Sequence, residues 1–343
     1  MNETRARRIG LAGAGFVAPH HLKAWQRLRD RATVVAVADP NAEAARARAD
    51  AWGVPSVYAS AEAMLEREQL DAIDVASPRE THAPICRLAA DRGLAILCQK
   101  PLAPTAEEAA ALIADVGGRV RLMVHENWRF RPHYRRIGEW LRDGRIGDVR
   151  TVAMSALTSG LIADASGRAP AIERQSMFVT LERLLVMEVL IHHVDTLRFL
   201  LGPLTLHSAA IGRGCQLVRG EDRASLFMTT AAGGPVTLIG DFMAHGHPPT
   251  LRDRLEILGT TGAILLEDDR VRLVRGEESE ADVALDLAAD YEASYLGAIT
   301  HFLDRLDDDG AFETAPEDNL ETLRIVEQAY QQGGAVSAPW RAV

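Results

Sequence analysis

Short apolar segments alternate with helix-like segments over the first third of the chain. Each apolar segment has the length of a strand, ends in a turn, and is followed by apolar residues at helical spacing. The predicted strands are the residues from Arg8 up to Gly13, then Thr33–Ala38, Ser56–Tyr58, Asp71–Ala76, Leu94–Cys98 and Val120–Val124. The predicted helices are His21–Asp30, Ala42–Trp52, Ala61–Arg67, Thr81–Arg92 and Thr105–Val116. Because the strands are too apolar to face water on either side, we predict an α/β fold with a doubly wound parallel sheet.

Beyond Val124 the pattern changes to strands in succession, with the helices segregated from them. The predicted strands are Val149–Leu157, Thr205–Ile211, Ala224–Thr230, Val236–Phe242, Leu255–Leu258, Ala263–Leu266 and Arg270–Val274. The predicted helices are His133–Asp143, Leu181–Leu201, Tyr291–Asp307 and Pro316–Gln331. This order is typical of an α+β domain on an open, mostly antiparallel sheet. We therefore predict two domains, residues 1–124 and 125–343.

Two features of the second predicted domain concern its surface. Ser159–Ser176 is polar and irregular, which indicates a loop over the functional site. One broad sheet face has no helices left to cover it, which is typical of a subunit interface. We therefore expect a homo-oligomer, a dimer or a tetramer, that assembles through the C-terminal sheet.

Charge and cysteine content exclude several classes of protein. The net charge of -10 and the absence of a long Lys/Arg run argue against nucleic-acid binding. No uncharged apolar run reaches membrane-spanning length, so we expect no membrane partner. Cys86, Cys98 and Cys215 show no metal-binding spacing and cannot all pair, which fits a reducing compartment. Arg7-Arg8 precedes a strand and a glycine turn rather than an export signal, so we expect a cytoplasmic protein.

The turn after the first strand has the pattern Gly13-x-Gly15-x-x-Ala18. This is the dinucleotide-binding pattern of Rossmann domains, with alanine in place of the third glycine. Gly13 permits the sharp turn, Gly15 lets the backbone approach a pyrophosphate, and Ala18 lets helix and strand pack closely. The following helix N-terminus offers free N–H groups and a partial positive charge to phosphates.

Asp39 ends the second strand, about 20 residues beyond the glycine turn, where an acid is expected to meet the adenosine ribose. A carboxylate there accepts both ribose hydroxyls and repels a 2′-phosphate. No arginine follows it immediately, since the sequence continues Pro40-Asn41. The cofactor is therefore predicted to be NAD rather than NADP.

Polar groups follow three further strands of the predicted parallel sheet. They are Ser77-Pro78, Gln99-Lys100-Pro101 and His125-Glu126-Asn127. Ligands bind at the carboxyl ends of such strands, so these groups share one rim with Asp39. The residue before a proline is pushed out of helical conformation, which extends Lys100 at the end of its strand. Lys100 is thus a candidate catalytic group.

An acid, an imidazole and a second acid lie on one face of the predicted helix Leu181–Leu201. At helical spacing Glu188, His192 and Asp195 share that face, whereas His193 points away. The helix is otherwise very apolar, so these groups require partners or a cleft. His192 is a candidate for acid–base chemistry, and Asp195 is predicted to be an ion-pairing or orienting residue.

These motifs together resemble the Gfo/Idh/MocA family of glucose-fructose oxidoreductases and inositol dehydrogenases. The resemblance is carried by the glycine turn, Asp39, Ser77-Pro78, Lys100-Pro101, Asn127–Phe130 and the helix bearing His192. It implies a Rossmann domain followed by an open-sheet α/β domain, NAD(P) as cofactor, and sugar-like polyols or their derivatives as substrates. The family's lysine falls on Lys100 and its histidine on His192.

The residue pattern and the resemblance together predict three sets of site residues. The predicted catalytic residues are Lys100, His192 and Glu188. The predicted cofactor-binding residues are Gly13, Gly15, Phe16, Val17, Asp39, Ser77, His82, Gln99, Lys100 and Asn127. The predicted substrate-binding residues are Lys100, Trp128, Arg129, Glu188 and His192. No metal site is predicted, because Glu188 and His192 have no evident third ligand.

The chain departs from the family pattern at three positions. Gln99 stands where the family has glutamate before Lys-Pro, Glu188 where it has aspartate, and Leu190 where it has glycine. A neutral Gln99 does not hold Lys100 protonated as a carboxylate would, so we hypothesise that Lys100 shares the base role with His192. The variant motifs indicate a subgroup that acts on pentose-like or branched sugars, such as an apiose-type aldose.

The expected chemistry is hydride transfer from a sugar or polyol carbon to nicotinamide, with Lys100 or His192 taking the hydroxyl proton. Two alternatives stay open. In one, bound NAD is reduced and reoxidised within an isomerase or a glycoside-cleaving reaction. In the other, the chain is a regulator that senses NAD without turnover.

Overall fold

The computed structural model describes residues 5–334, and these divide into two compact units. The first comprises the chain up to Phe130 together with Tyr291–Leu323. The second comprises Arg131–Asp290 and the described residues from Arg324 onward. The predicted boundary after residue 124 stays a prediction.

The first unit contains a six-stranded parallel sheet. Its strands are β1 (Arg7–Ala12), β2 (Ala32–Ala38), β3 (Ser56–Tyr58), β4 (Ala72–Val75), β5 (Ala95–Gln99) and β6 (Leu122–His125). The connecting helices are α1 (Ala18–Arg27), α2 (Ala42–Trp52), α3 (Ala61–Arg67), α4 (His82–Ala90) and α5 (Ala106–Val116). The strand order is β3-β2-β1-β4-β5-β6, so the direction of winding reverses between β1 and β4. The predicted doubly wound α/β sheet is confirmed, and its reversal point is where such sheets bind ligands.

Local sequence signals define several of these helices. The side chains of Asn41, Ser60 and Thr105 accept hydrogen bonds from backbone N–H groups in the first turns of α2, α3 and α5. Gly53 ends α2 in the left-handed conformation that glycine adopts without strain. Each boundary therefore follows from capping chemistry that is visible in the sequence.

A segment from the C-terminal half of the sequence, Tyr291–Leu323, completes the core of the first unit. Helix α9 (Leu287–Asp308) contributes Tyr295, Ala298, Ile299 and Phe302 to a buried cluster with β1, β2 and α1. Burying four such side chains contributes several kcal/mol at about 25 cal/mol per Å² of apolar surface. The apolar periodicity of α9 predicted the helix, but nothing local to it indicated this packing partner.

The second unit is built on an eight-stranded sheet. Its strands are β7 (Val149–Leu157), β8 (Leu204–Gly212), β9 (Arg223–Thr230), β10 (Pro235–Asp241), β11 (Arg252–Gly259), β12 (Ala263–Glu267), β13 (Arg270–Arg275) and β14 (Glu278–Ala284). Its helices are α6 (Pro132–Arg142), α7 (Pro170–Arg174), α8 (Ile191–Leu201) and the later part of α10 (Pro316–Gly333). The order is β14-β13-β12-β11-β7-β10-β9-β8, and among these described strands only β7 and β10 pair in parallel. The predicted mostly antiparallel sheet is confirmed.

The sheet of the second unit has one buried and one exposed face. Along β9 and β10 the residues Leu226, Met228, Val236 and Leu238 are buried, and their neighbours in sequence are exposed or half-buried. This alternation follows from the period of two along a strand.

Two predictions of local structure were wrong. The predicted helix Leu181–Leu201 begins later, with a π-helical turn over Leu185–Leu190 that leads into α8. The predicted irregular segment Ser159–Ser176 contains the short helix α7.

Strand β14 was not predicted, because its alternation of charged and small residues carries little apolar signal. Among the described residues, no helix is long and apolar enough to cross a membrane.

Candidate active site

The glycine turn after β1 admits no side chain at its first position. Gly13 has φ +112°, and a Cβ there would meet the backbone of Ala76 and Ser77, 2.6 Å from the Ala76 carbonyl carbon. Its N–H donates to Ala38 O at 2.8 Å, which joins the turn to β2. Gly13 is therefore required by the fold itself, since an L side chain is strained at this φ and blocked by the chain that follows β4.

The second glycine of the turn faces open space. A Cβ added to Gly15 would have no heavy atom within 4 Å. Phe16 beside it is 43% exposed, and Val17 precedes α1, which has no side-chain cap among the described residues. A free backbone surface next to an uncapped helix N-terminus fits a dinucleotide pyrophosphate.

Asp39 joins the glycine turn to the end of β2. Its Oδ2 accepts a hydrogen bond from Ala14 N at 2.8 Å, and its Oδ1 accepts from Asn41 N at 2.8 Å. The carboxylate is thus held at the carboxyl end of the sheet by two backbone donors. Arg48 of α2 reaches the same turn and donates to the carbonyl oxygens of Ala14 and Gly15 at 3.2 and 3.4 Å. Arg48 was not predicted, because it lies nine residues beyond Asp39 and only the fold brings it to the turn.

His82 is buried between two loops of the sheet rim. Its Nε2 lies 2.8 Å from Ser77 O and its Nδ1 lies 2.9 Å from Pro101 O. Burial lowers the pKa of this imidazole, and a neutral ring carries a single N–H, so it donates to one of the two carbonyl oxygens at a time. The ring therefore links the loop after β4 to the loop after β5. Its predicted contact with the cofactor stays a prediction.

Lys100 follows β5 and is held through its neighbour Gln99. The Lys100 N–H donates to Gln99 Oε1 at 3.2 Å, and Lys100 itself is half-buried. Gln99 is 7% exposed, and its Nε2 lies 2.8 Å from His21 Nε2 and 3.0 Å from His125 Nδ1. The amide oxygen therefore accepts from the backbone while the amide nitrogen donates to two imidazoles.

The network that orients Gln99 continues into the core of the first unit. His21 Nδ1 lies 2.8 Å from Asp74 Oδ2, and Trp25 Nε1 donates to the same oxygen at 2.7 Å. Because His21 Nδ1–H is directed at a carboxylate, its Nε2 accepts from Gln99. His21, Trp25 and Asp74 were not predicted as site residues. The sequence carried one local signal of this network, which is an aspartate within the apolar strand β4. The structure shows that this residue, Asp74, is fully buried.

The segment after β6 is largely engaged within the first unit. Asn127 Nδ2 donates to Ser294 Oγ at 2.7 Å, and the buried guanidinium of Arg129 donates to Asp318 Oδ2 at 2.7 Å. Trp128 is half-buried, and its N–H donates to Glu126 Oε1 at 3.1 Å. Of these predicted binding residues, Trp128 is more exposed than Asn127 and Arg129.

In the second unit, Glu188 and His192 lie on either side of the junction between the π turn and α8. The N–H of Ile191 reaches Val186 O, five residues back, as is typical of a π turn. Glu188 is half-buried, His192 is 7% exposed and Asp195 is fully buried. π-Helical turns are frequent at functional sites. The predicted roles of Glu188 and His192 stay predictions.

His193 fixes α8 to the sheet of the second unit. Its Nδ1 lies 3.0 Å from Val189 O and its Nε2 lies 2.8 Å from Asp253 Oδ1 on β11. Tyr134 OH donates to the other oxygen of Asp253 at 2.7 Å, and Arg131 lies 3.5 Å from it. Burial alone would raise the pKa of the Asp253 carboxyl, but these donors hold that pKa well below its ordinary range.

Two models of one protein family match the sequence. The model described as "Oxidoreductase family, NAD-binding Rossmann fold" matches residues 7–124, and the model described as "GFO/IDH/MocA C-terminal domain" matches residues 134–265. The D-apiose dehydrogenase of Paraburkholderia graminis is 33% identical over 336 residues, which covers 93% of this chain and 86% of that protein. The chain belongs to the Gfo/Idh/MocA family of oxidoreductases. The resemblance predicted from the motifs is confirmed.

Two further proteins are similar to this Gfo/Idh/MocA chain. D-xylose 1-dehydrogenase (NADP(+)) 2 of Haloferax volcanii is 42% identical over 134 residues, 38% of this chain and 39% of that protein. The crystal structure of an oxidoreductase from Agrobacterium radiobacter in complex with NAD+, L-tartaric acid and magnesium has a TM-score of 0.87 and 25% identity. The structural match covers 96% of this chain and 96% of that chain. In the described part of this chain, no group of three or more His, Cys, Asp or Glu residues is arranged to hold a metal ion.

Proposed function

We propose that this protein is an NAD-dependent dehydrogenase that oxidises a hydroxyl group of a sugar, polyol or sugar derivative, with pentose or apiose-type aldoses as the favoured substrates. The observation that carries the proposal is the rim of the parallel sheet, where the glycine turn, Asp39 and Lys100 follow β1, β2 and β5. Similarity to a D-apiose dehydrogenase over nearly the whole chain supports the substrate class.

NAD is proposed in preference to NADP because of Asp39. Its carboxylate suits the 2′- and 3′-hydroxyls of an adenosine ribose and repels a 2′-phosphate. Gly13, Gly15 and the N-terminus of α1 would hold the pyrophosphate. When bound, the nicotinamide ring supplies the hydride acceptor at its C4. If the protein binds NADP, Arg48 is the residue proposed to interact with it, since its guanidinium lies at the turn. Because an NADP-dependent xylose dehydrogenase is among the relatives, both NAD and NADP have to be tested.

Lys100 and His192 are proposed to share the proton transfer. The ammonium or amine of Lys100 hydrogen-bonds to the substrate hydroxyl oxygen and stabilises the charge that develops on it as the carbonyl forms. One of the two side chains takes the hydroxyl proton while the hydride leaves the same carbon. Glu188 orients His192 or binds another sugar hydroxyl. Trp128 is proposed to contact the substrate.

Gln99 stands directly before Lys100, where the resemblance to the family implies a glutamate. A carboxylate at position 99 would favour the charged ammonium, whereas the Gln99 amide donates to His21 and His125 and adds no charge. We propose that Lys100 therefore acts as a base together with His192.

The test is a panel of aldoses, inositols and aldonates, each assayed with NAD and with NADP by absorbance at 340 nm. We expect turnover with a pentose or branched aldose and NAD, and a large loss of kcat in Lys100→Met and His192→Asn. Lys23→Met is the matched control for Lys100→Met, because Lys23 lies on the surface of α1. Unchanged kcat in both Lys100→Met and His192→Asn would refute the assignment.

Two other outcomes separate the alternative functions. NADH released in equal amount with product identifies a net dehydrogenase and excludes an isomerase or glycoside-cleaving enzyme that retains its cofactor. NAD binding without any absorbance change across the panel identifies a nucleotide-sensing regulator.

The exposed sheet face of the second unit is proposed to form a dimer or tetramer interface. Phe227, Ile239 and Leu258 are 40%, 45% and 41% exposed and lie on β9, β10 and β11. Light scattering after size-exclusion chromatography should show an oligomer that Phe227→Glu with Ile239→Lys dissociates. A monomeric wild-type protein would contradict this.

A further inference from the structure

The π turn Leu185–Leu190 carries Glu188. The backbone N–H groups at the start of this turn find their hydrogen-bond acceptors elsewhere in the second unit. The four residues from Leu184 to Met187 are fully buried, and the intrahelical bonds begin with Glu188 N to Leu184 O at 2.8 Å. Four backbone N–H groups at a buried helix start require partners outside the helix.

Glu221 supplies acceptors to three of these four groups. Its carboxylate accepts from Leu184 N at 3.1 Å and from Val186 N at 2.9 Å. Its backbone carbonyl accepts from Leu185 N at 3.2 Å. Glu221 is itself fully buried, so it acts as an N-cap that arrives from a distant segment of the chain.

Tyr330 of α10 supplies the fourth acceptor. Its hydroxyl oxygen lies 3.1 Å from Met187 N, from which it accepts, and the hydroxyl donates to Glu221 Oε1 at 2.6 Å. These partners of the Glu221 carboxylate are all donors, so the ionised form satisfies them best. Burial raises the pKa of Glu221, because the interior disfavours the charged form, while the donors around the carboxylate oppose that rise.

Gly220 lets this cap approach closely. A Cβ at position 220 would lie 2.7 Å from Leu184 Cβ and 2.8 Å from Leu181 O. A larger residue before Glu221 would thus push the carboxylate away from the turn.

We infer that Glu221 and Tyr330 are positioning residues for Glu188 and His192. They fix the start of the π turn, and the register of that turn sets the direction in which Glu188 and His192 project. This inference depends on the proposed function, in which those two side chains act on the substrate. Small displacements of catalytic groups reduce turnover strongly, so a loosened turn should lower kcat more than it affects cofactor binding.

The test compares Glu221→Gln and Tyr330→Phe with Asp222→Asn. Asp222 is an adjacent buried carboxylate that accepts from Gly214 N and Cys215 N and thus caps a loop instead of the π turn. Amide hydrogen exchange is measured on peptides that cover residues 184–192. Steady-state kinetics and NADH fluorescence titrations are measured on the same proteins.

We expect faster exchange in residues 184–192 in Glu221→Gln and Tyr330→Phe, and no change there in Asp222→Asn. We expect kcat to fall by about tenfold or more in both, with the Kd for NADH within about twofold of wild type. Unchanged exchange would overturn the inference. A fall in kcat no greater than in Asp222→Asn would also overturn it, because the effect would then be general destabilisation.

Failure of the proposed function gives a different result. A wild-type protein that turns over no sugar in the panel refutes the dehydrogenase, whereas the exchange comparison still decides whether Glu221 and Tyr330 hold the turn.

Discussion

Leu190 of the π turn packs directly onto Gly240 of β10. A Cβ at position 240 would lie 2.9 Å from both Leu190 Cδ1 and Leu190 Cδ2. The resemblance to the family implies a glycine at position 190, and the Leu190 side chain found there is accommodated by a glycine on the sheet. The pair explains how the departure at position 190 is compatible with a turn packed closely on β10.

Gly240→Ala should destabilise the second unit, because the added methyl overlaps a fully buried Leu190. Overpacking of this kind costs about 1–3 kcal/mol, and Leu190→Ala alone costs about 2–5 kcal/mol through the cavity it leaves. The double variant should lose less stability than the sum of the two, since the new methyl then occupies part of that cavity. Thermal unfolding of the four proteins measures this coupling. Strictly additive losses would show that the two residues do not share one packing site.

The two glycines of the nucleotide turn should respond differently to alanine. Gly13→Ala places a Cβ against the Ala76 backbone at a strained φ, so we expect a large fall in melting temperature. Gly15→Ala places a methyl in open space, so we expect the melting temperature to stay near that of wild type while NADH binding weakens by at least about tenfold, or ~1.4 kcal/mol. Differential scanning fluorimetry and NADH titration measure the two effects. Tight NADH binding by Gly15→Ala would argue against a pyrophosphate at this turn.

Much of the fold could be predicted because its signals are local. Strands buried on both faces must be apolar throughout, and the caps at Asn41, Ser60 and Thr105 adjoin the helices they start. The rim residues could be predicted as well, because parallel strands present their carboxyl ends together.

The residues that orient the candidate site could not be found in this way. Asp74 meets His21 and Trp25, and Glu221 meets the turn at Leu184, across long separations in sequence. A buried charge within an apolar segment signals that a partner exists, but the partner is identified only by tertiary structure. The predicted start of helix Leu181–Leu201 was wrong for the same reason, since its cap comes from Glu221 rather than from a neighbouring residue.

Gln99→Glu should disrupt the network below Lys100. A carboxylate cannot donate, so its oxygen would face His21 Nε2 and His125 Nδ1, which accept from the wild-type amide. Each buried hydrogen bond broken in this way costs about 1–3 kcal/mol, so we expect a clear fall in melting temperature at pH 8. Gln26→Glu, an exposed glutamine on α1, is the control. A melting temperature for Gln99→Glu equal to that of the control would contradict the assigned donors.

Asp253→Asn should destabilise the second unit in a pH-dependent manner. The wild-type carboxylate accepts from Tyr134 and faces both His193 and Arg131, so the substitution removes the negative charge that these buried groups face. Breaking a buried pair in this way costs about 3–5 kcal/mol at neutral pH. Because the pKa of Asp253 is held below its ordinary range in the folded protein, the unfolded chain takes up a proton first as the pH falls.

The advantage of wild type over Asp253→Asn should therefore be complete above about pH 4, the ordinary range of an aspartate, and should shrink below it. Melting temperatures of both proteins from pH 8 to pH 3 measure this difference. Asp282→Asn is the control, since Asp282 pairs with Arg270 at the surface and such pairs contribute little to stability. If the gap between wild type and Asp253→Asn stayed constant down to pH 3, the carboxylate would not be the charge that holds His193 and α8 to β11.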